Sequence, residues 1–407
     1  MSGGLPKVTR RFVQEMVFGI QAAEDVKLSE VGRSLSEPVE LIETEQRLSR
    51  QAARRDVSPT LNERMAWYGS GQVGEDTVLA LDVGDLQKRY GQKMERLAYV
   101  RDGSTGKIGK GYWLLSVLGA PVDGEGATPL YMTLYSQEAE RWKSENAEML
   151  KAVECVTRYV GTRGIWAMDR GGDRKAIYNP LLDKKLRWVI RVNGRTRKLV
   201  TSSGEKVWAS ELGKTCPMSE SQEVTVEVEG NRQKGTVAMG FRRVRLPWRK
   251  EWLYLVVIKG ALPGQAEEPI LLLTNVKVSR RKGSVKKILE IYLTRWRCEE
   301  GYRFVKQAYR LEDIRVRSYV ALRNIAALVG LVFQFVAVVL GQRLKLNLLF
   351  MKVFEKAKRF YETARFKMYA IADGIYKFLV AYRQRRSKET PADSTRQREF
   401  AFMAPPP

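Results

Sequence analysis

The sequence contains no histidine. This absence excludes Ser-His-Asp and Cys-His nucleophilic sites, because both use an imidazole as the base. It also excludes zinc sites with histidine ligands and the nucleases whose base or nucleophile is a histidine. Chemistry on a polyanionic substrate would therefore use carboxylates with a metal ion, or Ser, Tyr or Lys side chains.

Cysteine is scarce. Cys155, Cys216 and Cys298 lie far apart and form no CxxC pair. An odd number of isolated cysteines predicts neither a disulfide framework nor a cysteine metal site, and it fits a reducing compartment. The N-terminal run MSGGLPKVTRRF has no apolar signal core. We therefore expect a cytoplasmic protein.

Long apolar runs are also scarce. The longest, IAALVGLVFQFVAVVL at 325–340, is short for a membrane span and contains Gln334. It predicts a buried core helix, and we expect no membrane partner. The alternative is a membrane-associated basic protein that uses this run.

Positive charge is abundant. The 407 residues include 71 Lys and Arg against 46 Asp and Glu, a net charge of +25, while 44% of residues are hydrophobic. The chain is therefore a folded protein of two or three domains whose partner is a polyanion. The charge is concentrated: 171–200 has 9 basic residues against 2 acidic, 277–323 has 14 against 5, and 341–388 has 13 against 3. Such stretches favour binding to DNA phosphates.

The N-terminal part reads as helical and polar. Within it, a short amphipathic helix from Leu28 to Leu35 meets a break at Ser36-Glu37-Pro38, and a second helix with Leu41 and Leu48 follows. Two short helices around a tight turn can form a helix-turn-helix that enters the major groove. An ordinary helical hairpin is the alternative.

From Asp76 the sequence takes on an α/β pattern. The predicted strands TVLALDV, ERLAYVRD, GYWLLSVLGA and ATPLYMTLYS precede a predicted helix at Gln137–Val160 and the strands GIWAMD and LRWVIRV. The strand-like runs VTVEVEG, GTVAMGFRRVRL and EWLYLVVIKG then interrupt the alternation. The strand ILLLTN resumes it, and helices dominate afterwards. The Pro-rich, polar C-terminus is predicted to be disordered.

Two aspartates end apolar strands. Asp82 follows LAL and Asp169 follows IWAM, so both would lie at the rim of the sheet, where α/β proteins place their sites. A turn or helix cap is the alternative for each. Asp85 and Asp173, which come shortly after, could support these acids or be simple caps.

A helix predicted from Ser284 carries a more specific pattern. Tyr292, Arg295, Glu299 and Lys306 follow the spacing Y-(2)-R-(3)-E-(6)-K, and Arg303 falls on the same stripe. At roughly 100° per residue these side chains lie within a wedge of roughly 60°. Ion pairs on a solvated helix face are the alternative.

Three carboxylates from two strand ends and one helix can hold two divalent cations about 3.5–4 Å apart. Magnesium is the natural ion, because oxygen ligands suit a hard cation. The set Asp82, Asp169 and Glu299 thus predicts metal-assisted phosphodiester chemistry without histidine.

In this ordered set the sequence resembles bacterial insertion-sequence DDE transposases, of the cut-and-paste group with the Y-(2)-R-(3)-E-(6)-K signature. The supporting runs are DVGDLQKRYGQKMERLAYVRDGSTG, GYWLLSVL and RWRCEEGYRFVKQAYRLEDIRVRSYVALRN. The resemblance implies an α/β fold with a ribonuclease-H-like catalytic core, a β-strand insertion and flanking helical regions. The domains expected on this basis are a helical DNA-binding region at 1–70, the first part of the core at 71–193, the insertion at 194–269, the core strand and signature helix at 270–340, a basic helical region at 341–387 and a disordered tail at 388–407.

The resemblance also implies a function. Asp82, Asp169 and Glu299 would be the catalytic and metal-binding acids for two Mg²⁺ ions, with Mn²⁺ able to substitute. The DNA-binding residues would be Tyr292, Arg295, Arg303 and Lys306. The partners would be double-stranded DNA, as element ends and target, and a second copy of the chain. The protein would bind terminal inverted repeats, cleave the ends and join the 3′ ends to target DNA, near the bacterial nucleoid.

One position departs from the family pattern. Relatives often have a tryptophan just before the LLLT strand, which stacks on a flipped base during hairpin formation, whereas this chain has Leu271. Trp248 and Trp252 are the nearby alternatives. Two other functions remain open, a metal-dependent endonuclease that does not join strands and a domesticated protein that only binds DNA.

Overall fold

The computed structural model describes residues 5–88, 91, 93–103, 105–122, 126–228, 231–260, 269–339 and 368–386. The predicted disordered tail lies outside these residues. Of the predicted basic region at 341–387, the part at 341–367 also lies outside them.

The N-terminal region is helical. It consists of α1 (Lys7–Ala23), α2 (Leu28–Leu35), α3 (Leu41–Arg54) and α4 (Ser58–Gly69). The break between α2 and α3 lies where the sequence predicts it, and Ser36 ends α2 with a left-handed φ of 50°. Val31 and Leu48 are fully buried in a hydrophobic cluster that also includes residues of the central strands and the C-terminal helices. Contact of these helices with DNA stays a prediction.

A central sheet follows. Its first strands are β1 (Val78–Gln87), β2 (Ala98–Arg101), β3 (Ile108–Ala120), β4 (Thr128–Tyr135), β5 (Ile165–Met168) and β6 (Arg187–Arg191). The spatial order is β4-β3-β1-β5-β6, in which β3 runs antiparallel to β1 and to β4, while β1, β5 and β6 are parallel. β2 pairs with the N-terminal end of β3, on the edge of β3 that also pairs with β4. An antiparallel meander of three strands followed by two parallel strands is the order of a ribonuclease-H-like core, so the predicted α/β class is confirmed.

Two helices accompany β5 and β6: α5 (Glu145–Val160) and α6 (Lys175–Asp183). The prediction that the first begins at Gln137 is wrong. It begins at Glu145, because the Ser144 hydroxyl accepts a hydrogen bond from Ala147 N and caps the first turn.

The β-rich segment continues the central sheet. Its elements are β7 (Lys198–Val200), β8 (Lys206–Trp208), α7 (Ala209–Lys214), β9 (Glu220–Val228), β10 (Asn231–Val244), β11 (Leu253–Lys259) and β12 (Ile270–Thr274). β7 and β8 form a small sheet of their own. β12 pairs with both β6 and β11, so the order β6-β12-β11-β10-β9 extends the core into one sheet of ten strands.

The C-terminal helices are α8 (Ser284–Thr294), α9 (Arg297–Ala308), α10 (Tyr319–Gln334) and α11 (Met368–Arg386). The prediction of one continuous signature helix is therefore wrong: α8 ends before Arg295, and α9 begins after Trp296. The segment Tyr319–Val339 is long and apolar enough to cross a membrane, but 83% of its most apolar window is buried inside the protein. It packs against α4 and β4, as a core helix would.

The alternation of side chains along β1 separates two cores. Ala80 joins the cluster that contains α9, α10 and the N-terminal helices. Leu79 and Leu81 join the cluster on the opposite face, with α5 and α6. The sheet is therefore covered on both faces. Near the predicted acids, a solvent-accessible cleft lies beside the C-terminal half of β1.

Candidate active site

Strand register brings the two predicted aspartates side by side. β1 and β5 are parallel neighbours with Ala80 opposite Ala167, so Asp82 and Asp169 come two residues further along each strand. Asp169 directly follows β5, and its Oδ1 accepts a hydrogen bond from Gly171 N at 2.8 Å. The cap predicted as the alternative role is therefore present, and it orients a carboxylate that also lines the cleft.

Glu299 comes from the other side of the cleft. It lies in the first turn of α9, which packs across β1 and β3. Its side chain is 44% exposed. The structure thus brings together the three acids that the sequence predicts, although they are separated by long stretches of chain.

Arg295 links the strand acid to the helix acid. Its Nη1 lies 3.4 Å from Asp82 Oδ1, and its Nη2 donates to Glu299 Oε1 at 3.0 Å. The arginine side chain is only 7% exposed. Its guanidinium lies 5.7 Å from the ring of Tyr292, which is itself buried. Tyr292 therefore lies beneath Arg295 and does not line the cleft with the other predicted residues.

The acids perturb one another electrostatically. Burial raises the pKa of the Asp82 carboxyl to about 7; Arg295 opposes this rise, whereas the charges of Asp169 and Glu299 add to it. Three carboxylates converging in a partly desolvated cleft favour a proton or a cation among them. In the structure the cation beside Asp82 is the Arg295 guanidinium.

The cleft has a volume of about 1600 Å³. Its lining mixes charges: seven basic side chains, namely Lys88, Lys93, Arg295, Arg303, Lys306, Arg315 and Arg317, and seven acidic ones, namely Asp82, Asp85, Asp102, Asp169, Glu299, Glu312 and Asp313. Lys306 is engaged by a salt bridge of 3.0 Å to Glu312, and Arg303 is exposed one turn before it. Basic side chains such as these suit contact with the phosphates of a nucleic acid.

The donor set fits magnesium by its chemistry, because it consists of carboxylate oxygens only. Arg295 shows that one cationic group is accommodated between Asp82 and Glu299. Within the part of the chain that the structure describes, no three Asp, Glu or Cys side chains are grouped closely enough to hold one ion. The three carboxylates therefore line one cleft without forming a closed ion-binding group, and Arg295 bridges two of them.

The neighbouring acids have other roles. Asp85 lines the cleft and accepts a hydrogen bond from Gly103 N at 3.1 Å. Asp173 is buried and accepts hydrogen bonds from Tyr178 Oη and Arg197 Nε, at 2.9 and 2.7 Å. Because Arg197 precedes β7, Asp173 ties the β-rich segment to α6 and is a structural anchor.

The alternatives to the missing tryptophan differ in their exposure. Leu271 is buried between Gly194 and Gly213, where an added Cβ on either glycine would lie 2.9 Å from a leucine methyl. Trp248 packs beside the cations of Lys175 and Arg197, and its Nε1 donates to Asn179 Oδ1 at 3.0 Å.

Trp252 is 37% exposed, and the guanidinium of Arg243 lies 4.5 Å from its ring centroid. Neither Leu271 nor Trp248 therefore offers an open stacking face, and Trp252 is the more accessible ring.

Sequence reasoning missed three residues around the acids. Lys88 is buried, and its Nζ donates to the carbonyl oxygens of Glu312 and Ile314 below the cleft wall. Cys298 and Tyr302 bond α9 to β1. Only the spacing of Cys298 and Tyr302, one turn apart on α9, signals burial, and nothing in the sequence signals their polar partners.

The fold and the site define a mixed α/β protein with a ribonuclease-H-like core and converging acids. Residues 141–333, slightly less than half of the chain, match the family described as "Transposase DDE domain". The match includes Asp169 and Glu299 and begins after Asp82.

One solved structure similar to this chain is a cryo-EM structure of a piggyBac transposase synaptic complex with hairpin DNA. The identity is 12% and the TM-score is 0.44, over 95% of this chain and 73% of the other. None of the curated proteins compared with this chain matches it.

Proposed function

We propose that the protein is a magnesium-dependent DNA transposase of the insertion-sequence, cut-and-paste type. It would act as a homodimer on double-stranded DNA in the bacterial cytoplasm, bind terminal inverted repeats, cleave them and join the 3′ ends to a target. The observation that carries this proposal is that Asp82, Asp169 and Glu299 line one cleft together with Arg295, Arg303 and Lys306, two of the acids inside the range that matches the transposase family.

In this mechanism Asp82, Asp169 and Glu299 would hold the metal ions, and Arg295, Arg303 and Lys306 would bind phosphates of the cleaved end. Magnesium, when bound, activates the attacking oxygen and stabilises the leaving oxygen of the phosphodiester. A water oxygen first attacks phosphorus, and the P–O bond to the 3′ oxygen breaks to leave a 3′-hydroxyl. That hydroxyl then attacks a target phosphodiester, so one P–O bond forms as another breaks.

Arg295 has to change partners in this scheme. Its charge is neutralised by Asp82 and Glu299, and Lys306 is likewise neutralised by Glu312. Cations that occupy the carboxylate cluster would release the guanidinium toward an incoming phosphate. DNA binding and metal binding should therefore reinforce each other.

The direct test incubates the purified full chain with DNA that carries the gene's own flanks, in magnesium or in EDTA. We expect cleavage at a fixed flank position and joined products in magnesium only. Cleavage without any joined product would identify an endonuclease. Binding without cleavage would identify a DNA-binding protein, and cleavage in EDTA would contradict the carboxylate mechanism.

The phosphate roles of Arg295 and Lys306 give a second prediction. Arg295→Ala and Lys306→Ala should each weaken binding to cleaved ends, and each should lower the slope of log Kd against log salt by about 1. Both should also slow cleavage. Titrations at several salt concentrations measure the slopes.

Lys286→Ala is the matched control for these variants. Lys286 is a partly exposed α8 lysine paired with Glu290, and it does not line the cleft. It should leave both the slope and the cleavage rate unchanged. Normal end binding and normal cleavage in both Arg295→Ala and Lys306→Ala would remove the phosphate role.

A further inference from the structure

We propose that Tyr302 and Cys298 are positioning residues that fix α9, and with it Glu299, against the strand that carries Asp82. The inference rests on the proposed function, because it assigns these buried groups a role toward the carboxylate site. Neither residue belongs to the Y-(2)-R-(3)-E-(6)-K pattern.

Both residues bond to main-chain oxygens of β1. Cys298 Sγ donates to Ala80 O at 3.1 Å. Tyr302 Oη lies 2.6 Å from Asp82 O and 2.9 Å from Leu114 O, the latter on β3. The hydroxyl therefore reaches the backbone of the predicted catalytic aspartate itself and joins it to the adjacent strand.

The spacing of these contacts defines a register. Residues 298 and 302 are one helical turn apart, a rise of about 6 Å, and the carbonyls of 80 and 82 are about 6.6 Å apart along a strand. Two ties of matched spacing prevent α9 from sliding along β1. Glu299 lies between the two ties in sequence, so its height relative to Asp82 is set by them.

The helix also lies unusually close to the sheet. A Cβ on Gly301 would lie 2.5 Å from a methyl of Leu118, so only glycine permits this approach without a shift of that side chain. The Tyr302 ring lies 3.4 Å from where a Cβ of Gly84 would be. The phenol is therefore held between α9 and β1 and has little freedom to move.

A phenylalanine would fill the same space, so packing alone does not account for the hydroxyl. A buried polar group is unfavourable unless it is hydrogen-bonded, and this one finds its partners at Asp82 and Leu114. Loss of the bond should let α9 shift slightly without unfolding the core. A small displacement of one ligand is enough to impair a site built from several side chains.

The test compares Tyr302→Phe with Tyr309→Phe in the full chain. Tyr309 is a matched control, because it is also buried, directly follows α9, and its hydroxyl donates to Gln21 Oε1 at 2.8 Å, away from the acids. Binding of Mn²⁺ is measured by electron paramagnetic resonance, and stability by thermal unfolding.

We expect the two variants to lose similar amounts of thermal stability. Only Tyr302→Phe should raise the Kd for Mn²⁺, by about 10-fold or more, which is the usual effect of removing a group that orients a metal ligand. Equal Mn²⁺ affinity in Tyr302→Phe, Tyr309→Phe and the wild type would overturn the proposal.

Cys298 provides an independent variant pair should Tyr302→Phe fold poorly. Cys298→Ser keeps a donor for Ala80 O and should retain the Mn²⁺ affinity, whereas Cys298→Ala removes the donor and should weaken it. Equal affinities of the serine and alanine variants would contradict a role for the hydrogen bond.

Failure of the proposed function has a different signature. A wild-type protein that binds no Mn²⁺, with or without DNA, would refute the metal site. In that case the positioning role is tested by amide hydrogen exchange. Exchange in β1 and the first turns of α9 should become faster in Tyr302→Phe and stay unchanged in Tyr309→Phe. Unchanged exchange in Tyr302→Phe would overturn the positioning role as well.

Discussion

Replacing Glu299 by glutamine should reduce DNA cleavage by about 10³-fold or more and leave DNA binding nearly intact. Glutamine keeps the shape of the side chain but loses the charge that would hold a metal ion. Metal activation contributes several kcal/mol to such reactions, and each 1.36 kcal/mol is a tenfold change in rate. The substitution also removes one of the charges that raise the pKa of Asp82. The cations along the cleft wall remain, so the affinity for phosphates should persist.

The adjacent residue supplies the control. Glu300 pairs with Arg297 at 3.0 Å and does not line the cleft, so Glu300→Gln should cleave at the wild-type rate. Single-turnover cleavage and a gel-shift titration, made on the same protein samples, separate chemistry from binding. Wild-type cleavage by Glu299→Gln would exclude this residue from the reaction and, with it, the three-carboxylate proposal.

The positions of the three acids can be predicted from the sequence for a physical reason. Asp82 and Asp169 end apolar strands, and parallel neighbouring strands bring equivalent ends together, as the register Ala80 to Ala167 shows. The Glu299 stripe follows from helical periodicity. Local pattern and periodicity therefore carry enough information to predict these positions.

Other features depend on contacts that no local pattern encodes. The break between α8 and α9 is invisible in the helical periodicity, and it lets Tyr292 stay buried while Arg295 bridges two acids. Lys306 meets Glu312 only because the chain turns back after α9. Likewise, the β-rich segment pairs with β6 through β12, which depends on strand partners far apart in sequence.

The largest stability effect is expected at Asn324. This fully buried α10 side chain bonds four main-chain groups where α3 ends and α4 begins. Its Oδ1 accepts from Val57 N and Ser58 N at 2.8 and 3.1 Å, and its Nδ2 donates to Ala52 O and Arg55 O at 2.8 and 2.7 Å. The last carbonyl groups of a helix and the first N–H groups of a helix have no partners within their own helix. The single amide of Asn324 therefore caps both the end of α3 and the start of α4.

Asn324→Leu should therefore lower the free energy of unfolding by about 3–5 kcal/mol. Leucine has nearly the same size, but it leaves buried donors and acceptors unpaired, and each costs about 1–3 kcal/mol. Ser58 N keeps a second acceptor in Asp56 Oδ1, which holds the loss below the sum of four bonds. Urea denaturation followed by tryptophan fluorescence measures the change.

Asn146→Leu is the matched control for Asn324→Leu. Asn146 lies half-buried in the first turn of α5 and makes one side-chain contact, with Arg174 at 3.0 Å, so its loss should be under about 1 kcal/mol. Equal losses in the two variants would show that the α3–α4 junction does not depend on Asn324. A large loss confined to Asn324→Leu, with earlier proteolysis before residue 58, would show that the N-terminal helices are held to the central sheet through α10, the helix that also packs beside α9.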